Sequence, residues 1–273
     1  MFQPIRVDGY GIHTGAPSQV TLSPGYQGSG IVFEKEGMSI PVHPDHLHPD
    51  ASRATTLCFG GVRIQTVEHL LAALLATGER DVRVQVSGPE IPVLDGSAGP
   101  WLERLQRAGL GFGFRFFPVS KVLNVTSGQS SAQIRPIGKG RRPRIEITLR
   151  LDAIGQPPMQ MVFHPDVDDF RGIATARTFV FASDVERLRH ANLARGGSLD
   201  NAVVMTEAGA INPGGLRFDN EPARHKVLDL IGDLAMLGAL PLAEISVDRP
   251  GHHLHHKMVK ALYGDIRRAH TCT

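Results

Sequence analysis

Twice along this chain, short β-favouring runs give way to helical periodicity, and that order limits the fold more than any other feature. In the first half the runs lie around residues 20–22, 31–33 and 62–64, separated by Gly and Pro turns such as Ser23-Pro24-Gly25. Thr66 is placed as the N-cap of a helix through Val67, Leu70, Leu71, Leu74 and Leu75, which should stop at Thr77-Gly78. Residues 82–86 alternate strictly, as a half-buried strand does, and the turn at 92–97 leads into a helix from about 100 to 108. The second half predicts strands at 119–125, around Ile134 and at 145–151, then a short helix at 182–191 and a strand at 202–205. Two long helical patterns follow, at 222–237 and roughly 254–264, and no residue-level repeat accompanies the repeated order. We therefore expect an α+β protein of two packed domains, residues 1–113 and 114–273, divided near 111–117. At 273 residues the chain is long enough for a sizeable core without disulfide staples.

Composition removes several classes of function. With 29 basic and 27 acidic side chains the net charge is +2. The densest basic run, 139–144, is rich in Gly and Pro and reads as a solvated hairpin turn, so no nucleic-acid partner is expected. Cys58 and Cys272 make neither a disulfide framework nor a Cys-x-x-Cys site, which fits a reducing compartment. No apolar run approaches the roughly 18–20 residues of a membrane helix, and the first residues lack a secretory pattern. These features predict a cytoplasmic protein with no transmembrane segment, and we expect a monomer.

The helix expected at 222–237 is the most informative stretch. At about 100° per residue, Val227, Leu228, Leu230, Ile231, Leu234, Ala235 and Leu237 share one broad face. His225, Lys226, Asp229, Gly232 and Asp233 share the other. His225 and Asp229, at i and i+4, are one turn apart and within reach of one metal ion. Taken alone, the helix reads equally as amphipathic with a solvated charged face. Glu68-His69 opens the other helix among apolar neighbours, so either that helix end is wet or the two groups have a task. Were His69 a third ligand, two His and one Asp would leave a fourth position open, as in catalytic zinc sites, with Glu68 beside it as a base. Four His among residues 252–256 suit either a metal tract or an exposed helix start.

Seven segments in order carry a resemblance. They are Ile12-His13-Thr14-Gly15, Thr66-Val67-Glu68-His69-Leu70, Glu90 through Ser97, Ala176-Arg177-Thr178-Phe179, Gly196 through Asn201, Arg224-His225-Lys226 with Asp229 and Gly232-Asp233, and Gly251-His252. In them the chain resembles the UDP-3-O-acyl-N-acetylglucosamine deacetylases, zinc hydrolases of lipid A biosynthesis, over nearly its whole length. The resemblance implies a two-domain β-α-α-β sandwich, each domain a sheet with its helices at the domain interface. It implies one catalytic zinc ion on His69, His225 and Asp229, with Glu68 as general base and His252 as general acid. It implies also that Lys226 and Thr178 stabilise the oxyanion, with Asp233 orienting His252. An inserted β-α-β unit at about 179–205 would form a passage for the 3-O-acyl chain, lined by Phe179, Val180, Ala182, Val185, Leu188, Leu193 and Gly197. Arg249 is the cation expected to meet the diphosphate of the UDP-sugar substrate. The competing readings are a non-catalytic paralogue that binds a nucleotide-sugar or lipid, and a zinc deacetylase of a different N-acetyl sugar. The extra His near His252 depart from the family pattern and could recruit a further, inhibitory metal.

Overall fold

The computed structural model describes residues 2–50 and 52–271; Cys272 and the tail it belongs to lie outside the described residues. The first half supplies β1 (Ile5–Tyr10), β2 (Pro17–Pro24), β3 (Ile31–Lys35) and β4 (Met38–Pro41), then a hairpin of β5 (Leu57–Phe59) and β6 (Val62–Ile64). Helix α1 (Glu68–Thr77), strand β7 (Val82–Val86) and helix α2 (Gly99–Arg107) complete it. The second half begins with β8 (Phe116–Pro118), β9 (Leu123–Ser127), β10 (Ser130–Pro136), β11 (Arg144–Leu151) and β12 (Gln156–Phe163). Next come the short α3 (Arg171–Ala174), then β13 (Phe179–Phe181), α4 (Ala182–His190), β14 (Val203–Thr206) and β15 (Gly209–Ala210). Helix α5 (Glu221–Leu234), strand β16 (Leu240–Asp248) and helix α6 (His252–Thr271) close the chain.

The two halves share a topology that their residues do not advertise. The first sheet runs β1-β2-β7-β3-β4 and the second β9-β10-β16-β11-β12, so each is centred on the strand between two helices. In both, that strand pairs antiparallel with one neighbour and parallel with the other: β7 with β2 and β3, β16 with β10 and β11. Helices α1 and α5 pack on each other between the sheets, giving the expected α+β sandwich. Helix α1 is buried from Glu68 to Ala76 and, after Glu68 and His69, apolar all round to Ala76, as a helix covered on several sides must be. One apolar cluster joins Phe33 and Val84 of the first sheet to Leu70, Leu74, Leu230 and Ile231 of the helices and to Ile147 and Ile245 of the second sheet. Each fully buried Leu or Ile contributes about 1.5–3 kcal/mol. No helix among the described residues is long and apolar enough to cross a membrane.

Local expectations were corrected where tertiary contacts intervene. Thr66 does not cap α1: it sits in left-handed backbone at φ 59°, the residue at the cap position is Val67, and the Thr66 hydroxyl donates to Glu90 Oε1 at 2.7 Å. Of the strand expected at 119–125 only 123–125 is strand, the start of β9, while 119–122 connects it to β8, and the helix expected at 254–264 extends in both directions to His252–Thr271. The basic run at 139–144 is exposed at Lys139, Arg141 and Arg142, but it is no hairpin, because β10 and β11 flank β16 and the connection crosses the end of that strand. The non-apolar face of α5 is not solvated: His225, Asp229, Gly232 and Asp233 are all buried.

Candidate active site

The site lies where the starts of α1 and α6 meet the middle of α5. Gly232 makes the first meeting possible, since a Cβ there would overlap the backbone carbonyl of Glu68. The left-handed Thr66, a costly conformation for a β-branched residue, turns the chain so that Glu68 and His69 enter at the first turn of α1. Val67 N–H donating to the Thr55 carbonyl and the Thr66–Glu90 hydrogen bond hold it there. Glu90, fully buried, also accepts from the backbone N–H groups of His13 and Thr14 and from the Thr14 hydroxyl, tying the Ile12-His13-Thr14-Gly15 loop to the rim of the cavity. Arg177 plays a similar part on the other side, with Nε 2.8 Å from Glu221 Oε1 and Nη2 3.0 Å from Oε2.

Within this frame His69, His225 and Asp229 converge, each offering one ligand atom within 4.8 Å of the others. Asp229 Oδ1 is 3.2 Å from His225 Nε2 and 3.6 Å from His69 Nε2, and the two rings stand nearly perpendicular at 88°. His225 Nδ1 lies 3.0 Å from the Ala176 carbonyl and donates to it, which turns Nε2 towards Asp229. Two imidazole nitrogens and a carboxylate, with a cavity in front, fit a divalent metal that keeps a position open. Burial opposes the charge on Asp229, but His225 and Lys226 hold its carboxyl well below the usual carboxylate range. Lys226 Nζ is 2.7 Å from Asp229 Oδ2 and 5.3 Å from the centre of the Phe179 ring.

Glu68 and His252 face one another beside this triad, with Oε1 and Nε2 3.9 Å apart. Burial pushes the Glu68 carboxyl up to about 7, although His252 and His69 oppose it. For His252 burial works downwards, and Asp233, whose Oδ2 is 2.8 Å from Nδ1, overrides it and lifts the imidazole to about 9. Because His252 opens α6, the helix dipole also disfavours its positive charge, so the Asp233 carboxylate is what keeps it protonated. Of the four His at the start of α6, His252, His255 and His256 are buried and only His253 is exposed.

A cavity of about 420 Å³ opens over these groups. Glu68, His69, Thr178, His225, Lys226 and His252 all line it. Its apolar arm is formed by Val180, Val185 and Leu188 of the β13-α4-β14 unit, with Phe179 and Gly197 also on the wall. Ala182, Leu193 and Arg249 are not on the wall: Ala182 points to solvent, and Arg249 Nη2 is held 2.8 Å from Asp152 Oδ2. The arginines on the wall are Arg53 and Arg189, neither singled out from the sequence. Glu90 and Glu221 were missed as well, although a carboxylate inside an apolar run, as in Glu90-Ile91-Pro92-Val93-Leu94, is a readable sign of a buried acceptor.

Residues 1–264 match the sequence family described as UDP-3-O-acyl N-acetylglycosamine deacetylase. The chain belongs to that family. Among related proteins, the UDP-3-O-acyl-N-acetylglucosamine deacetylase of Myxococcus xanthus (strain DK1622) is 40% identical over 267 residues, which is 95% of this chain and 84% of the relative. The protein of the same name from Anaeromyxobacter sp. (strain Fw109-5) is 38% identical, covering 96% of this chain and 86% of its own. That of Aliivibrio fischeri (strain ATCC 700601 / ES114) is 37% identical, covering 96% and 88%. In this chain His69, His225 and Asp229, the facing Glu68 and His252, and the apolar side chains Val180, Val185 and Leu188 all line one cavity.

Proposed function

We propose that this chain hydrolyses the 2-acetamido group of UDP-3-O-[(3R)-3-hydroxyacyl]-N-acetylglucosamine to the free amine and acetate, an early step of lipid A biosynthesis. The observation that carries this reading is the convergence of His69, His225 and Asp229 on one point, with Glu68 and His252 flanking it at the mouth of a half-apolar cavity. One zinc ion would be held by that triad, and when bound it supplies the Lewis acidity that activates water and polarises an amide carbonyl. Glu68, titrating at about 7, accepts the proton of the attacking water near neutral pH. The Lys226 ammonium and the Thr178 hydroxyl are on the wall where negative charge develops on the carbonyl oxygen, and they stabilise it. His252, kept protonated up to about pH 9, gives its proton to the departing amine, and Asp233 orients it. Val180, Val185 and Leu188 take the acyl chain, and Arg53 and Arg189 replace Arg249 as the cations available to the diphosphate. We place the protein in the cytoplasm as a monomer of two domains, 1–113 and 114–273, without a nucleic-acid partner.

The test is acetate release from the acylated UDP-sugar by the purified chain, with one equivalent of zinc and again after chelation. Release that needs zinc and the 3-O-acyl group supports the reading. No release from folded, zinc-loaded protein would overturn it, and equal release from the deacylated sugar would make it a deacetylase of a different N-acetyl sugar.

A further inference from the structure

Behind His252, away from the cavity, lie three buried polar groups that the proposed reaction does not use: Thr55, His255 and His256. They close around Asp233, which is itself fully buried. Asp233 Oδ2 is 2.8 Å from Nδ1 of His252 and 2.8 Å from Nδ1 of His255. Its other oxygen, Oδ1, accepts from the Thr55 hydroxyl, and His256 Nε2 is 2.8 Å from that hydroxyl.

The proton positions follow from what each group can do. An ionised carboxylate only accepts, so both imidazoles present an N–H at Nδ1. The single Thr55 proton goes to Asp233, so the hydroxyl accepts from His256, whose Nε2 carries its proton. This leaves His255 Nε2, which is buried and has no partner among the described residues. A second proton on His255 would be an N–H with no acceptor, whereas a bare nitrogen there leaves only a lone pair unfilled, the smaller penalty. Burial also drives the His255 pKa down, in the same direction. His255 is therefore neutral with its proton on Nδ1, and the one positive charge opposite Asp233 belongs to His252. A cation in place of these protons is the competing arrangement, since Asp233, His252 and His255 also offer ligand atoms within 4.8 Å of one another. It would move the His255 proton to Nε2, where nothing accepts it.

We propose that His255 is a positioning residue for the acid–base step: as a neutral Nδ1–H tautomer it grips Asp233 Oδ2 and, with Thr55 on Oδ1, fixes the plane of that carboxylate against His252. This rests on the deacetylase reading, but the tautomer and the grip are observable without turnover. In zinc-loaded, full-length protein, long-range ¹H–¹⁵N spectra of the imidazoles should show His255 as the neutral Nδ1–H form. His255→Leu keeps the volume and removes the donor; His255→Asn keeps a donor where Nδ1 was. We expect His255→Leu to lower kcat by about tenfold or more at unchanged KM and zinc content, and His255→Asn to recover most of it. The His252 Nδ1–H signal should move in the Leu variant and stay in the Asn variant. A charged or Nε2–H His255, wild-type kcat in His255→Leu, an Asn variant as slow as the Leu variant, or a second equivalent of zinc lost with His255 would each overturn the proposal. Should wild-type protein release no acetate, the deacetylase reading fails, and the His252 and His255 signals alone decide the positioning. Should His255→Leu not fold, Thr55→Val, isosteric with the native residue, must show the same His252 signal shift for the proposal to stand.

Discussion

At Glu68 burial works against the charged carboxylate, and the same burial makes it a base of useful strength near neutral pH. The sign of the stability effect follows. The unfolded chain titrates this group near 4.5 and the folded metal-free chain at about 7, so the folded state binds more protons between those values. Stability from this group is full below about 4.5, falls as pH rises to about 7, and stays lower above it. Glu68→Gln, which cannot ionise, should therefore stabilise the metal-free protein at pH 8 by about 2–3 kcal/mol, with the gain shrinking towards pH 5. Thermal unfolding of both proteins at the two pH values checks this. The same variant should retain zinc and lose about 10²–10⁴-fold in turnover, because it removes a proton acceptor and no ligand. Unchanged turnover would remove Glu68 from the base role.

Among the helices, two glycines in similar settings have opposite consequences. Gly232, in the middle of α5, abuts the first turn of α1, and a methyl group there would overlap the Glu68 carbonyl. Gly232→Ala should cost about 1–3 kcal/mol by overpacking. It should also weaken zinc binding, since it pushes His69 of α1 away from His225 and Asp229 of α5; unfolding in denaturant and competition with a chelator measure the two effects. Gly264, within α6, meets nothing closer than the flexible end of Arg268 at 3.7 Å. There Gly264→Ala should stabilise the protein by about 0.5–1 kcal/mol, the helix-propensity difference alone, with activity unchanged. A destabilising Gly264→Ala would show that α6 is packed more closely along that face than the structure has it.

For the molecule as a whole, two sheets of the same strand order enclose the helices, and the site forms only when both halves are in place. His69 and Glu68 come from the first half, His225, Asp229 and His252 from the second. The buried Arg177–Glu221 pair holds the root of the β13-α4-β14 unit against the start of α5, and the backbone N–H groups of Arg177 and Arg217 complete the shell of Glu221. Arg177→Met would strand the Glu221 carboxylate in a dry setting, and we expect about 3–5 kcal/mol of lost stability in equilibrium unfolding. A loss below about 1 kcal/mol would mean that Glu221 finds water or another partner.

Local patterns carried the sequence reading a long way. Alternation located Val82–Val86 to the residue, because a half-buried strand must alternate whatever it packs against, and a β-favouring run between turns marked Val62–Ile64. Helical spacing put His225 and Asp229 one turn apart, and they stand at 3.2 Å. Strand β16 was missed although Ala243-Glu244-Ile245-Ser246-Val247-Asp248 alternates, so its signal was present and unread. Other features depend on partners far along the chain. Thr66 looks like a cap until Glu90, 24 residues on, takes its hydroxyl. Arg249 looks free until Asp152, 97 residues away, takes its guanidinium. Sequence order alone cannot say which of His252, His253, His255 and His256 turn inwards, because that depends on where Asp233 and Thr55 lie in space. By itself, then, the sequence determined most of the helices, several strands, the His225–Asp229 spacing and the family, which are properties of short segments. The tertiary structure decided which charges are buried and who neutralises whom, since desolvation and hydrogen bonding are set by groups that only the packed sheets and helices bring together.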